Sequence, residues 1–331
     1  MKPEGTMLLK RKDVAALLSI EECIAAVEQA FKLHAEGKIL PPGILGVHAR
    51  DGGFHIKAAL MDLGRTYFAA KANANFPNNM KRFGLPLIQG IIVLCDGENG
   101  YPLALMDSIE ITIVRTGAAT AVATKYLARA DSTVAAVCGC GNQGRISLKA
   151  IARVRELKRV YAFDNDDAQA KRFADELSDE LRIEVKAVND LANAVKQSDI
   201  CVTCTPSKQY FLKREDVAPG TFIAAVGADN EEKQELDPKL LQVNRVVVDS
   251  LEQCATIGDL HHALKKGLMT SGDVHAELGE VIAGKKPGRT SADEIIIFDS
   301  TGTALQDVAA SAIVYERAVS QGIGLVMDFA E

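Results

Sequence analysis

Read for its alternation of apolar and polar positions, the chain changes texture twice. Ser19-Ile-Glu-Glu22 has the form of a capping box and opens a stripe of Ile24, Val27, Ala30, Phe31 and Leu33, so the first clear element is a helix. From about Gly43 to Met106, short apolar runs (GILGVHA, GFHIKAALM, YFAAKANANF, LIQGIIVLCD) are broken by Gly, Asn and Asp. That text has too many turns for a parallel sheet and predicts an antiparallel sheet or partial barrel. After Arg115 the stretch Thr116–Arg129 (TGAATAVATKYLAR) predicts an Ala-rich helix bridging two domains.

Beyond that helix, strand and helix texts alternate. Strands are predicted at Thr133–Cys138, Arg159–Phe163, Glu184–Val188, Ile200–Thr205, Thr221–Val226, Arg245–Val248 and Glu294–Phe298, most separated by amphipathic helical text. Unbroken apolar strands alternating with such helices indicate a parallel sheet covered on both faces. The predicted class is therefore α/β, and Gln306–Ser320 reads as a final helix that returns to the first domain.

With 331 residues there is room for two packed domains. The formal net charge of −6 argues against nucleic acid as a partner, because phosphate binding needs clustered positive charge. No apolar run reaches the ~20 residues of a membrane helix, and the start MKPEGTMLLKRKD has no apolar stretch behind its charges. No membrane association and no signal peptide are expected, and the protein is read as cytoplasmic. The seven scattered cysteines then read as reduced, mostly buried thiols. Cys201 and Cys204 have redox or metal spacing, but on a strand positions three apart point to opposite faces. His261-His262 lacks an accompanying ligand framework, and no metal is expected.

The strongest local signal is TVAAVCGCGNQGRISLKAIARV, a strand, a glycine-rich turn and a helix start in that order. Gly139, Gly141 and Gly144 give G-x-G-x-x-G: one glycine for the tight turn, one for backbone approach to a pyrophosphate, one for helix–strand packing. The next strand ends in Asp164, about 20 residues beyond the third glycine, where a carboxylate accepts from adenosine ribose hydroxyls and repels a 2′-phosphate. No arginine follows it directly, so the predicted cofactor is NAD rather than NADP.

Chemistry is expected at the carboxyl ends of the strands. Asp229 follows Gly227-Ala228, and Asp299 precedes Ser300-Thr301-Gly302; either carboxylate suits a general base, and either equally suits a helix cap or solvated loop. Lys71 sits among Phe68, Ala69, Ala70 and Ala72, and reads as a carboxylate or acid/base site or, by preference, a solvated lysine on a half-exposed strand. His55 and Lys57 share one strand face, and Arg115 opens the bridging helix, placed to fork onto a carboxylate or phosphate.

The words ALMDSIEITIVRTGAAT, CGCGNQG, TPS, VGADNEEKQELD, VHAELGEVIAGKKPGR and FDSTGTALQD together resemble the ornithine cyclodeaminase/mu-crystallin family over almost the whole chain. The resemblance implies a Rossmann-type doubly wound parallel sheet over residues 117–305 that binds NAD. It also implies an α+β substrate-binding and dimerisation domain from residues 1–116 and 306–331, through which two subunits pair. It makes Asp229 the acid/base carboxylate, Lys71 the active-site lysine and Arg115 the substrate-carboxylate arginine. Asn142, Gln143, Asp164, Thr205, Gly227, Ala228, Lys233 and the turn from Ser300 to Gly302 fall at cofactor positions.

Where several members carry an arginine that clamps the substrate, this chain has His55, with Lys57 nearby, and a histidine does not reproduce a guanidinium fork. The implied chemistry is hydride transfer at the α-carbon of a small amino or imino acid. The reading placed first is a cyclodeaminase turning L-ornithine into L-proline and ammonia. The alternatives are a net oxidoreductase, either a cyclic ketimine reductase or an alanine-type dehydrogenase, and a non-catalytic nucleotide-binding protein like mu-crystallin.

Overall fold

The computed structural model describes residues 5–40 and 42–329, so residues 1–4 of the stretch read for a signal peptide lie outside it. The chain forms two compact units, one reaching to Arg115 and resuming at Thr303, the other spanning Thr116–Gly302.

In the first unit, β1 (Thr6–Leu9), α1 (Arg11–Leu17) and α2 (Ile20–Ala35) precede the strands β2 (Gly43–Ala49), β3 (Gly52–Asp62) and β4 (Thr66–Asn75). Then come α3 (Asn79–Phe83), β5 (Ile88–Asp96), β6 (Pro102–Asp107) and α4 (Ser108–Leu127), which runs on into the second unit. Ser19 caps α2 by accepting from the Glu22 N–H, and Ile24, Val27, Ala30 and Phe31 are buried on the predicted stripe. From β2 to β6 neighbouring strands are antiparallel, as the turn-rich text implies. β1 adds a parallel edge beside β6.

The bridging helix starts at Ser108, not Thr116, which puts Arg115 inside it rather than at its opening. Ile109, Thr112 and Val114 are poor helix formers and hide this start. Asp107 supplies the cap, accepting from the N–H groups of Ile109 and Glu110.

The second unit alternates β7 (Val134–Cys138), α5 (Asn142–Ile151), β8 (Arg159–Phe163), α6 (Asp167–Leu181), β9 (Glu184–Ala187), α7 (Leu191–Lys196) and β10 (Ile200–Thr203). It continues with β11 (Phe222–Ala225), α8 (Pro238–Gln242), β12 (Arg245–Val248), α9 (Leu251–Ile257), α10 (Asp259–Lys265), β13 (Ala276–Glu277), α11 (Leu278–Ile282) and β14 (Ile296–Asp299). The eight strands lie in the order β13-β12-β14-β11-β10-β7-β8-β9, and every pairing is parallel. β10, β11 and β14 are buried along their whole length, which is why they read as unbroken apolar runs. From β7 the chain first builds outward through β8 and β9, then returns to build β10 and β11 on the other flank. That reversal makes the carboxyl edge at β7 and β10 the switch point where doubly wound sheets bind ligands.

The chain ends with α12 (Ala304–Gln321) and β15 (Leu325–Met327), back in the first unit. β15 completes a seven-stranded sheet in the order β15-β1-β6-β5-β4-β3-β2. α12 packs on α2 and on β3 and β4, burying one sheet face; Ala59, Met61, Tyr67 and Ala69 point into it. Among the described residues no helix is long and apolar enough to cross a membrane.

A glycine cradle and a buried cationic cluster

The turn after β7 is built around its glycines. Gly139 has φ +102°, and a Cβ there would lie 2.8 Å from the Cys204 carbonyl oxygen. A Cβ at Gly144 would collide with the Gly139 carbonyl, whereas one at Gly141 would meet only open space. The turn therefore has its back closed by packing and its front free for a ligand. α5 begins at Asn142, so the N–H groups of Asn142, Gln143 and Gly144 head the helix without an intrahelical acceptor. The buried Oε1 of Gln143 also has no hydrogen-bond partner.

Asp164, at the end of β8, joins this turn by accepting the Cys140 N–H through Oδ2 at 2.8 Å. A cavity of about 960 Å³ opens in front, lined among others by Gly139, Gly141, Asp164, Asn165, Thr205 and Ser207. Open space at Gly141, free helix N–H groups and a carboxylate at the far lip fit the diphosphate and ribose of a dinucleotide.

The remaining carboxyl ends sort the predicted acids. Asp299 is fully buried and accepts the N–H groups of Asp259 and Leu260 at the start of α10, so it serves as a cap. Asp249 accepts from Ser300 Oγ and the Gly302 N–H, and so holds the turn after β14. Asp229 is the exposed one: its side chain is 51% accessible, and Oδ1 lies 2.6 Å from Lys233 Nζ. Ala228 beside it is buried.

In the first unit the structure reverses the expectation of a solvated Lys71, which is only 3% exposed. Its Nζ lies 2.7 Å from Oδ2 and 2.9 Å from Oδ1 of Asp307 on α12. Arg115 Nε lies 3.3 Å from Asp307 Oδ1, and its Nη1 donates to Gln306 Oε1 at 2.9 Å. Lys57, also buried, stands directly across the ladder from Lys71. Burial pulls the Lys71 ammonium down to about 7; Asp307 opposes this, while Arg115 and Lys57 add to it. Cys23 of α2 is buried nearby, its thiol pushed up to about 12 by burial. His55, two residues before Lys57 on the same strand, is half-buried opposite Asn73.

Asp307 and Gln306 were not among the residues singled out from sequence. Their signal is the polar pair in ALQDVAASA, a helix start buried all round, where an acid and an amide need partners. The Gln306 Nε2 remains buried without one.

The second unit is a Rossmann-type dinucleotide fold, and the whole chain is α/β with an added mainly antiparallel sheet. It belongs to the ornithine cyclodeaminase/mu-crystallin family, whose sequence model matches residues 4–322. It is 40% identical over 324 residues to an alanine dehydrogenase of Archaeoglobus fulgidus, covering 98% of each chain. Among solved structures, an archaeal alanine dehydrogenase dimer with bound NAD superposes with a TM-score of 0.94 at 40% identity, covering 98% of this chain and 99% of that one. A Δ1-pyrroline-2-carboxylate reductase of Thermococcus litoralis in complex with NADH and L-proline gives 0.89 at 36%, covering 97% of this chain and 100% of that one. A lysine cyclodeaminase structure gives 0.85 at 27%, covering 98% and 96%.

Proposed function

We propose that the chain is a cytoplasmic, NAD-dependent oxidoreductase acting at the α-carbon of a small amino or imino acid, with net redox turnover. The observation that carries the amino- or imino-acid part of the reading is the buried Lys71–Asp307–Arg115 cluster, two cations around one carboxylate in a chain that also has the glycine cradle. The relatives at 36–40% identity named above, a dehydrogenase and a reductase, support net redox chemistry over the cyclodeaminase reading placed first from sequence. The cyclodeaminase structure at 27% keeps that chemistry as the second reading.

When bound, NAD supplies a hydride acceptor for the α-carbon, and NADH the corresponding donor. Asp164 accepts from the adenosine ribose, and the N–H groups heading α5 take the diphosphate. Arg115 and Lys71 bind the substrate carboxylate, a guanidinium fork beside an ammonium. Asp229 takes the proton from the α-nitrogen on oxidation and returns it on reduction. Lys71, with its pKa near neutrality, also gives up or takes a proton at Nζ.

The first unit is the substrate-binding and dimerisation domain in this reading, the second the NAD domain. The sheet face turned away from α12 exposes Leu45, Val47, Phe54, Leu60 and Ile91, an apolar surface suited to a second copy.

The deciding experiment is a panel of L-alanine, L-proline, L-ornithine and L-lysine with NAD, and of pyruvate plus ammonia and pyrroline-2-carboxylate with NADH. One of these pairs should change NADH absorbance in step with product. Ammonia released from ornithine or lysine with no net NADH change would instead establish the cyclodeaminase.

A further inference from the structure

Glu235 lies between β11 and α8 and has no solvent exposure. Four donors surround its carboxylate. Oε1 accepts the Thr205 N–H at 2.6 Å and the Thr205 hydroxyl at 2.8 Å. Oε2 accepts the Thr203 hydroxyl at 2.8 Å and the Gly227 N–H at 3.0 Å. Its backbone is tied as well: the Glu235 N–H donates to Asp259 Oδ1 at 2.9 Å, and its carbonyl accepts the Phe211 N–H at 3.0 Å. The carboxylate is packed so closely on the β11 turn that a Cβ at Gly227 would lie 2.5 Å from it. One side chain thus joins the end of β10 to the turn after β11.

These two strands lie on one flank of β7, and β8, which carries Asp164, lies on the other. A dinucleotide with its adenosine ribose at Asp164 and its diphosphate on the β7 turn directs its other half toward the ends of β10 and β11. We propose that Glu235 is a positioning residue of the dinucleotide site, fixing the Thr205 and Gly227 turns in the shape that receives the half remote from Asp164. The proposal rests on the dinucleotide reading above, but not on the identity of the amino or imino acid.

The donor arrangement makes the test specific. Each carboxylate oxygen faces one backbone N–H and one hydroxyl, so the amide of Glu235→Gln meets an N–H with its own NH₂ in either orientation. Hydroxyls turn to accommodate it, whereas the N–H of Thr205 or Gly227 is left without an acceptor. The experiment titrates the full-length protein with NADH, followed by its fluorescence, and with AMP by competition. It compares wild type, Glu235→Gln and the milder Thr203→Val, which removes one hydroxyl from the opposite oxygen.

In Glu235→Gln we expect NADH affinity to fall about tenfold, equivalent to about 1.4 kcal/mol, with AMP affinity changed less than about twofold. Thr203→Val should shift in the same direction by a smaller factor. Unchanged NADH affinity in the folded variants, or an equal loss of NADH and AMP, overturns the positioning role. If Glu235→Gln does not fold, Thr203→Val decides on the same criterion. Wild-type protein that fails to bind NADH overturns the dinucleotide reading itself, an outcome distinct from any ratio between variant and wild type.

Discussion

Replacing Lys71 by methionine tests the cationic cluster without knowledge of the substrate. Burial lowers the ammonium's pKa from 10.5 to about 7, with Arg115 and Lys57 adding to the fall and Asp307 resisting it. At about 1.4 kcal/mol per pKa unit, holding this lysine charged in the folded state costs roughly 5 kcal/mol. The folded pKa lies below the unfolded one, so between those values the unfolded chain binds more protons and stability rises with pH. The penalty is complete below about 7, shrinks as pH rises, and vanishes above the unfolded value.

Methionine keeps an unbranched stem and removes the titration, while Asp307 retains Arg115 at 3.3 Å. The stability of Lys71→Met relative to wild type should therefore fall by roughly 1.4 kcal/mol per pH unit above neutrality. Urea unfolding of both proteins by circular dichroism at a series of pH values from about 6 to about 9 reads this difference directly. A difference that stays constant with pH would refute the reasoning, because Lys71 would then titrate as it does in the unfolded chain.

The other expectations concern separate parts of the molecule. Wild type should prefer NAD to NADP by at least about tenfold in kcat/KM, and Asp164→Ala should narrow that ratio by losing the ribose acceptor; a wild-type preference for NADP would reverse the reading of Asp164. Asp229→Ala should lower kcat by about a hundredfold or more while leaving NADH binding, followed by fluorescence, within a few-fold; full activity on the substrate found in the panel would remove Asp229 from proton transfer. Leu45→Glu, on the exposed strand β2, should shift the protein from dimer to monomer in light scattering, since a charge on an apolar contact face is not buried without a partner; an unaltered dimer would move the interface elsewhere.

Sequence legibility followed physical cause. The glycine turn and Asp164 were readable because they are local: backbone conformation at Gly139 and packing at Gly144 demand glycine, and βαβ spacing brings the acid to the same edge. The central parallel strands β10, β11 and β14 were readable because full burial leaves continuous apolar text. β13 and β15 were not, having two and three residues, too few to show a period. The start of α4 was hidden by β-branched residues whose low helix propensity is overridden by burial and by the Asp107 cap. Lys71, Asp307 and Glu235 are a different case. Their roles come from burial beside partners distant in the chain, and one sequence carries no record of which polar residues the fold withdraws from water.

That distinction also bears on lyase against net oxidoreductase chemistry. The amine that would attack the imine in a cyclodeaminase belongs to the substrate's side chain. The groups proposed for this chain, Arg115 and Lys71 at the substrate carboxylate and Asp229 in proton transfer, therefore serve both reactions equally. Motif retention at Lys71, Arg115 and Asp229 cannot separate them, so placing the cyclodeaminase first from sequence went beyond what those residues carry. The separation must lie where the substrate's side chain is received. In the proposed reading His55, on the strand that also carries Lys57, bears on this, because an imidazole offers no parallel pair of donors where the family resemblance implies a guanidinium. In the proposed reading carboxylate binding then falls to Arg115 and to Lys71, whose pKa burial lowers to about 7 and whose Nζ lies 2.7 Å from Asp307. Reduction of an imine consumes a proton at every turnover and its reverse releases one, so the cluster suits the redox step that both chemistries share, and only the fate of NADH with each substrate separates them.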